Sequence, residues 1–293
     1  MKSFGDLFSD SWKQYKENFS LFLKILLIFY ALPSIIFSIA VFMISRNYYS
    51  IGLTDYSALV LSDLIANPSY LISIIVLGII IFILDYIMIL SLFYMATYPR
   101  KNMKIKDAVK GGLKYFWKFA GLSLLIFLIV LAIFSPLILF LIIATIFSLS
   151  EFPFLIIFII LLIILIIPII IFTVYWTFSP YILVNENIGI WASLKRSQSI
   201  IKGKWWRVFG YLVLFGLISM AISILFSIPE IIFNAYNFLA NWEVIGGEVS
   251  IEHTSGYFIT AFILGIISML SSLITMPLQI LFLRNFYSEM KKR

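Results

Sequence analysis

The sequence predicts an all-α polytopic membrane protein with six transmembrane helices, forming one integral membrane domain over residues 1–293. The composition is the first reason, because 62% of the residues are hydrophobic and only 12% are charged, whereas globular proteins are about half apolar and a quarter charged. Six apolar runs are the second reason, since each is close to or longer than the roughly 20 residues that a membrane-spanning helix needs. The runs are continuously apolar and do not alternate, which favours helices over a closed barrel.

Segments that contain polar and charged residues separate the six apolar runs. We predict spans near residues 19–44, 70–97, 119–147, 153–179, 208–228 and 257–283. Because the number of spans is even, both termini are expected on the same side of the membrane.

Basic residues are confined almost entirely to one side of the predicted membrane. All Lys and Arg residues except Arg46 lie in residues 2–24, 100–118, 195–207 and 284–293. The other side is acidic, with Asp55, Asp63, Glu151, Glu230, Glu243, Glu248 and Glu252. Since cytoplasmic segments carry an excess of Lys and Arg, we expect both termini to be cytoplasmic, in the plasma membrane of a prokaryote. The same distribution explains the net charge of +7 without a nucleic-acid partner.

A short amphipathic helix is predicted before each odd-numbered span. Apolar residues recur there at helical spacing, with Lys and Arg on the opposite face, and such helices lie in the plane of the lipid headgroups. A proline follows within each odd-numbered span, at Pro33, Pro136 and Pro229. We therefore expect three pseudo-repeats, each with a cytoplasmic-side interfacial helix and two membrane helices. Their expected limits are residues 1–100, 101–187 and 188–293.

The stretch from Ser179 to Gly210 has the most distinctive sequence. It contains Pro180 before an apolar run, a turn with Glu186, Asn187 and Gly189, the segment Ser193, Leu194, Lys195, Arg196 and Ser197, and the cluster Trp206, Arg207 and Val208. With these features the chain resembles the membrane domain associated with glycerophosphoryl diester phosphodiesterases and related uncharacterised multi-spanning proteins of prokaryotes. The opening segment SDSWKQYKENFSLFL is similar to the start of that domain.

The resemblance implies a shared membrane architecture and not a shared activity. In the full-length enzymes a soluble barrel cleaves the diester with His, Glu and metal-binding residues. This chain has a single His, His253, so we expect no such barrel and no phosphodiesterase activity.

One carboxylate, Asp85, is predicted to lie inside the second span, about 18 Å from the cytoplasmic end of its helix at 1.5 Å per residue. A carboxylate at this depth must be protonated or paired and should face the bundle interior. It is either a proton or cation site, or a protonated group that joins two helices through a hydrogen bond. Lys24 lies only about 7 Å deep, and we expect it to extend towards the cytoplasm rather than to Asp85.

Small and polar residues recur every three or four positions along the fifth span, provided that its helix continues through Pro229. This polar stripe comprises Gly216, Ser219, Ser223, Ser227, Glu230, Asn234, Asn237 and Asn241. The sixth span has the same spacing at Gly265, Ser268, Ser272, Thr275 and Gln279. Each set lies on one helical face and favours close helix packing. The alternative is a hydrated groove for a lipid headgroup or a solute, with Glu230 as the deepest charge on its helix. The candidate intramembrane polar residues are Asp85, Ser219, Ser223, Ser227, Glu230, Asn234 and Gln279.

The basic and aromatic cytoplasmic segments are expected to contact lipid at the membrane interface. The candidate contacts are Trp12, Lys13, Trp117, Lys118, Trp191, Lys195, Arg196, Lys204, Trp205, Trp206 and Arg207. Anchoring and membrane orientation explain these residues without a ligand, and specific binding of anionic lipid headgroups is the alternative.

No complete catalytic or cofactor motif is present in the sequence. The chain has no Cys, which excludes disulfides and thiolate metal sites. His253 with Glu248 and Glu252 is a poor set of zinc ligands, and there is no Walker loop, dinucleotide fingerprint or nucleophile elbow. We therefore expect neither a cofactor nor enzymatic activity.

The favoured hypothesis is a non-catalytic membrane protein that handles lipids, organises the membrane or supports a partner protein. Its expected partners are the bilayer, with its anionic headgroups, and a protein. A proton-coupled transporter or channel that uses Asp85 and the polar stripe is the alternative. A lipid-modifying enzyme ranks third. The chain has no His pair, and its carboxylates are scattered between opposite membrane faces, which argues against a shared catalytic site.

Overall fold

The computed structural model describes residues 2–45, 68–100, 103–146, 151–240, 243–245, 248–250 and 255–292. The helices are α1 (Phe4–Glu17), α2 (Phe19–Leu26), α3 (Leu32–Ser45), α4 (Pro68–Thr97), α5 (Ile105–Leu113), α6 (Phe116–Ile146), α7 (Glu151–Trp176), α8 (Ser179–Asn185), α9 (Ile190–Ile201), α10 (Trp205–Ala240) and α11 (Ser255–Lys291). Two short antiparallel strands, β1 (Glu243–Ile245) and β2 (Glu248–Ser250), lie between α10 and α11. Arg46, Asp55, Asp63, Asn241, Glu252 and His253 are outside the described residues.

Among the described residues, six helices are long and apolar enough to cross a membrane, as the sequence predicts, and they indicate a multi-pass membrane protein. Their spans are Phe19–Ala40, Leu71–Thr97, Phe116–Ile146, Ile156–Asn185, Trp205–Tyr236 and Phe262–Lys291. The fifth helix continues through Pro229 to Ala240, which is the condition on which the predicted polar stripe depends. The sixth helix continues to Lys291, whereas the sequence predicts that the span ends near residue 283. The helix therefore includes the basic residues Arg284 and Lys291.

Prolines are accommodated inside the spans without ending the helices. They lie within α6, α7, α10 and α11 at Pro136, Pro168, Pro229 and Pro277, so proline does not distinguish odd-numbered from even-numbered spans. In the first span, Leu32 N–H donates to the Leu27 carbonyl in a π-helical turn (Leu27–Ala31) directly before Pro33. A proline ring crowds the carbonyl four residues earlier, which for Pro33 is that of Phe29. The wider π-helical turn gives the Phe29 carbonyl more room.

Helices α1, α5 and α9 occupy the segments that precede the odd-numbered spans, and we call the end of the bundle where they lie the basic end. Each buries part of its surface against another helix: α1 packs on α11, α5 on α4, and α9 on α7 and α8. The buried residues are Leu7, Ser11 and Tyr15 in α1, Ala108, Gly111 and Gly112 in α5, and Ser193, Leu194, Ser197 and Ile201 in α9. These faces therefore meet protein, whereas the orientation of the three helices relative to a membrane stays a prediction.

The hydrophobic core lies at the basic end. The largest fully buried side chains there include Phe22, Phe178, Tyr181, Phe282 and Phe286. Within the most apolar window of each span, the share of buried residues is 33% in the sixth and 0% in the fourth. The helices are thus tightly packed at the basic end, with α11 at the centre, and expose most of their remaining length.

The seven-residue helix α8 is almost wholly enclosed. Ser179, Tyr181, Ile182, Leu183 and Val184 are all buried. The Tyr181 hydroxyl donates to the Ile280 carbonyl of α11 at 2.9 Å. Since an unpaired hydroxyl is costly in an apolar interior, this bond explains how Tyr181 can lie at the centre of the core.

Helix α5 approaches the backbone of α4 so closely that only glycine fits at Gly112. A Cβ atom at this position would lie 2.7 Å from the carbonyl carbon and oxygen of Leu90 and 2.9 Å from the backbone nitrogen of Ser91. We expect Gly112→Ala to destabilise the protein by about 1–3 kcal/mol, as overpacking does. Thermal unfolding in detergent measures the loss.

Gly210→Ala is the matched control, because a Cβ added at Gly210 would have no described atom within 4 Å apart from its chain neighbours and the adjacent backbone of its own helix. Alanine is the better helix former by about 1 kcal/mol, so this variant should be as stable as the parent or more so. A parent-like melting temperature for Gly112→Ala would contradict the close approach of α5 to α4.

Candidate functional site

The polar faces of the fifth and sixth spans meet at Glu230. The Ser268 hydroxyl of α11 donates to Glu230 Oε2 of α10 at 2.5 Å, and the two helices pack along each other. Ser219, Ser223 and Ser227 are half-buried, whereas Asn234 and Gln279 are exposed. The Glu230–Ser268 bond is a helix-to-helix contact of the kind that the packing interpretation predicts.

Asp85 and Glu230 do not belong to one site. At 1.5 Å per residue, Asp85 lies about 18 Å from the end of α4 at Thr97, and Glu230 lies about 37 Å from the start of α10 at Trp205. The two carboxylates therefore differ in depth by about 20 Å. Asp85 Oδ1 is buried and has no hydrogen-bond partner within the described ranges.

Glu186 connects the end of α8 to two other helices at the basic end. Its Oε1 accepts hydrogen bonds from Lys291 Nζ at 2.9 Å and from the Tyr287 hydroxyl at 3.1 Å, both on α11. Its Oε2 lies 3.6 Å from Arg196 Nε on α9. Burial acts to raise the pKa of the Glu186 carboxyl, but the bonds from Lys291 and Tyr287 and the charges of Lys291 and Arg196 outweigh it. The pKa is therefore below its ordinary value.

Ser197 of α9 closes the break between α7 and α8. Its hydroxyl donates to the Tyr175 carbonyl at 2.6 Å and accepts from the Phe178 N–H at 3.2 Å. Ser197 is fully buried. One side chain thus satisfies two backbone groups that the interrupted helix leaves unpaired.

The predicted interfacial contacts divide into exposed side chains and side chains held by the protein. Those exposed without a hydrogen bond or an ion pair to another described side chain are Trp12, Lys13, Trp117, Trp191, Lys195 and Trp206. Lys118 donates to Asn187 Oδ1, Arg196 pairs with Glu186, and Arg207 donates to the Lys2 carbonyl at 3.3 Å and to the Tyr211 hydroxyl at 3.1 Å. Lys204 and Trp205 are half-buried. The first group remains available to lipid, and the second helps to hold the basic end together.

A cleft that the sequence does not predict lies at the basic end, between the α1–α2 junction, the α4–α5 connection and α11. It consists of two neighbouring chambers with volumes of about 560 and 220 Å³. Both chambers are lined by Glu17, Asn18, Leu21, Arg100 and Met103. The larger is also lined by Ser20, Lys24, Lys104, Ile105 and Lys106, and the smaller by Gln14, Phe22, Leu281 and Arg284 among others. We call this site the basic cleft.

The basic cleft is strongly positive. Its walls carry five cationic side chains, Lys24, Arg100, Lys104, Lys106 and Arg284, against one carboxylate, Glu17. In the part of the chain that the structure describes, none of the five lies in a salt bridge. Unpaired cations that converge on one concave surface raise the local concentration of anions, so the cleft can bind an anionic group.

The basic cleft contains none of the predicted interfacial contacts. Lys24, which we expect to extend towards the cytoplasm rather than to Asp85, lines the cleft. Lys24 and Arg284 are distant in sequence from Arg100, Lys104 and Lys106, so no local pattern indicates that these residues line one cleft. Among the described residues, no group of three or more His, Cys, Asp or Glu could hold a metal ion.

A sequence comparison identifies the family of the chain. The family described as "Domain of unknown function (DUF7847)" matches residues 95–290, which is more than half of the chain. The chain belongs to this family. No curated protein and no solved structure matches the chain.

The DUF7847 match includes most of the charged residues described above. Arg100, Lys104, Lys106 and Arg284 of the basic cleft lie inside it, whereas Glu17 and Lys24 lie before it. The match also contains Glu186, Arg196 and Tyr287. The family match does not test the resemblance to the membrane domain of glycerophosphoryl diester phosphodiesterases, which stays a prediction.

The lowered pKa of Glu186 predicts a pH-dependent contribution to stability. Because Lys291 and Arg196 are 45% and 50% exposed, solvent screening reduces the value of these pairs, and we expect Glu186→Gln to cost about 1 kcal/mol at pH 7. A carboxyl with a lowered folded-state pKa stabilises fully above its unfolded pKa, about 4.3 for Glu. The cost should therefore shrink as the pH falls below about 4 and Glu186 takes up a proton.

Thermal unfolding of the parent and of Glu186→Gln in detergent, measured between pH 7 and pH 3, checks this prediction. Glu17→Gln serves as the control, because Glu17 makes no salt bridge within the described residues. A difference between parent and Glu186→Gln that does not change with pH would show that the ion pairs contribute nothing.

Proposed function

We propose that this DUF7847 protein is a non-catalytic integral membrane protein that handles lipids by holding anionic headgroups in the basic cleft. The observation that carries the proposal is the cleft itself, at an end of a six-span bundle. Its walls carry one carboxylate and five cations that form no salt bridge among the described residues. Each Lys or Arg near an anionic lipid surface contributes about 1 kcal/mol of attraction. The cleft gathers several such residues around one volume.

The position of the cleft supports a lipid headgroup rather than a soluble anion. Ser20, Leu21 and Lys24 of its wall belong to the first turns of the first span, Phe19–Ala40. Immediately beyond them Leu27 and Ile28 are exposed. A headgroup in the cleft could therefore have its hydrocarbon chains on apolar surface of the same span.

The proposal includes an orientation. The basic end faces the cytoplasm of a prokaryotic plasma membrane, with both termini there, since Lys and Arg accumulate on the cytoplasmic side. Helices α1, α5 and α9 then lie at the interface, and each begins one of three pseudo-repeats. The resemblance to the phosphodiesterase-associated membrane domain supports this shared architecture. Membrane organisation or support of a partner protein would follow from the same lipid binding.

Removing charge from the cleft should weaken binding of anionic lipid. For the double variant Lys104→Gln/Lys106→Gln we expect about 30-fold weaker binding, because two contributions of about 1 kcal/mol each are lost. Native mass spectrometry of the purified protein, titrated with phosphatidylglycerol, measures the change.

The matched control is Lys110→Gln/Lys202→Gln, which removes the same charge from exposed positions that neither line the cleft nor belong to the predicted interfacial contacts. It should bind lipid as the parent does. Equal losses in the two double variants would reject the cleft as the binding site. Metal-dependent cleavage of a phosphodiester by the purified parent would reject the non-catalytic part of the proposal.

One observation favours a second candidate function, a proton-coupled transporter or channel. Asp85 Oδ1 is buried without a hydrogen-bond partner in the described part of the chain, and an intramembrane carboxylate is costly unless it serves packing or function. The separation of Asp85 from Glu230 reduces this candidate to Asp85 alone.

Asp85→Asn tests the transport hypothesis, because asparagine keeps the shape and cannot titrate. If Asp85 carries protons, pH-driven flux into proteoliposomes should fall at least tenfold with an unchanged melting temperature, while Glu230→Gln keeps its flux. Flux that is absent in the parent, or unchanged in Asp85→Asn, would reject this function.

A further inference from the structure

The basic cleft has two chambers, and this division points to its ligand. We infer that the cleft selects anions with two phosphate groups joined by a short linker, one phosphate in each chamber, and that the ligand is a lipid of this class. The inference rests on the proposed function and specifies its substrate.

The cations are divided between the chambers. Lys24, Lys104 and Lys106 line only the larger chamber, Arg284 lines only the smaller, and Arg100 lines both. Each chamber therefore has at least one cation of its own and shares one with its neighbour. A single phosphate in either chamber would leave the cations of the other without an anion.

The volumes agree with this division. The smaller chamber, at about 220 Å³, corresponds to roughly seven water molecules of about 30 Å³ each. It has room for one hydrated phosphate group. The larger chamber, at about 560 Å³, has room for a second phosphate and the glycerol to which hydrocarbon chains are attached.

The boundary between the chambers carries the single carboxylate of the cleft. Glu17 lines both chambers, together with the polar Asn18. A carboxylate repels a phosphate and accepts hydrogen bonds from hydroxyl groups. Arg100 also lines both chambers, so the boundary carries one cation and one carboxylate and is less positive than the walls on either side of it. It therefore suits a linker with a hydroxyl group, such as the glycerol between the two phosphates of diphosphatidylglycerol.

Arginine is suited to the position of Arg284. Its guanidinium presents several donors in a rigid fork that matches a phosphate. Nη1 of Arg284 donates to Asn285 Oδ1 at 3.2 Å, which orients the group at the wall of the smaller chamber. Arg284 thus distinguishes a two-phosphate ligand from a one-phosphate ligand, because the lysines of the larger chamber serve both.

The test compares two lipids of similar charge and different phosphate number. At pH 8, diphosphatidylglycerol carries two phosphodiesters and phosphatidic acid carries one phosphomonoester with nearly two negative charges, since the second pKa of a phosphate is about 6. We expect the parent to bind diphosphatidylglycerol at least tenfold more tightly in native mass spectrometry of the full chain. Equal affinities would overturn the inference and leave the proposed function intact, whereas binding of neither lipid would overturn both.

The variants assign the preference to the chambers. Arg284→Gln should lose the tenfold preference while its affinity for phosphatidic acid stays within about twofold of the parent, and Arg284→Lys should keep part of the preference. Lys104→Gln/Lys106→Gln should weaken the binding of both lipids. Glu17→Gln should reduce the preference for diphosphatidylglycerol over phosphatidic acid, because a single phosphate could then bind at the boundary between the chambers. A preference that survives Arg284→Gln in a protein with parent-like melting temperature would overturn the assignment.

A soluble competitor distinguishes lipid from free anion. Glycerol 1,3-bisphosphate has the two phosphates and the hydroxyl without hydrocarbon chains. We expect it to displace diphosphatidylglycerol only at concentrations at least 100-fold above the lipid. Displacement at equal concentration would show that the ligand is a soluble bisphosphate and would overturn the lipid part of the inference.

Discussion

The interruption of the fourth span between Trp176 and Ser179 is the constraint on which the basic end depends. Backbone N–H and carbonyl groups near lipid must find partners inside the protein, and Ser197 supplies them for Tyr175 and Phe178. To do so, α9 must lie against α7 and α8. Helix α8 is thereby enclosed, and the chain leaves it at Glu186, whose carboxylate is held by α9 and α11.

The carboxylates of the basic end are mostly committed to local structure, which explains why the basic cleft remains positive. Asp6 forms a capping box with Ser3 at the start of α1, and Asp107 accepts the Lys104 N–H at the start of α5. Asp10 pairs with Lys2, and Glu186 pairs with Arg196 and Lys291. Glu17 alone lines the cleft, where five cations converge. The basic cleft is thus positive because most carboxylates of the basic end bind partners outside it.

The sequence predicts the spans and the basic end because both depend on local composition, but it does not predict the cleft. Apolar runs and Lys/Arg segments are recognised from neighbouring residues, and the predicted polar stripe required only that the helix continue through Pro229. The cleft is lined by residues within 14–24, 95–100 and 103–106, together with Leu281 and Arg284, which the packing of α11 against α1 and α4 brings together. The periodicity of α1 and α5 was also ambiguous, since an apolar helical face can meet lipid or protein. Here the buried faces of both helices meet protein.

Packing density also separates the two ends of the molecule as places for binding. At the basic end, fully buried residues such as Phe22, Leu26 and Phe282 lie beside or behind the cleft, so the helices that present its cations are held in place before any ligand arrives. Binding then requires little ordering of the backbone, which is a main cost of association.

Far from the basic end the fifth and sixth spans are joined by the Glu230–Ser268 hydrogen bond, and most side chains there are half-buried or exposed. A polar contact of this kind stabilises helix association in lipid by about 1 kcal/mol, so packing alone accounts for it. The cations of the basic cleft form no salt bridge in the described residues, and this difference favours the basic end for the proposed binding site.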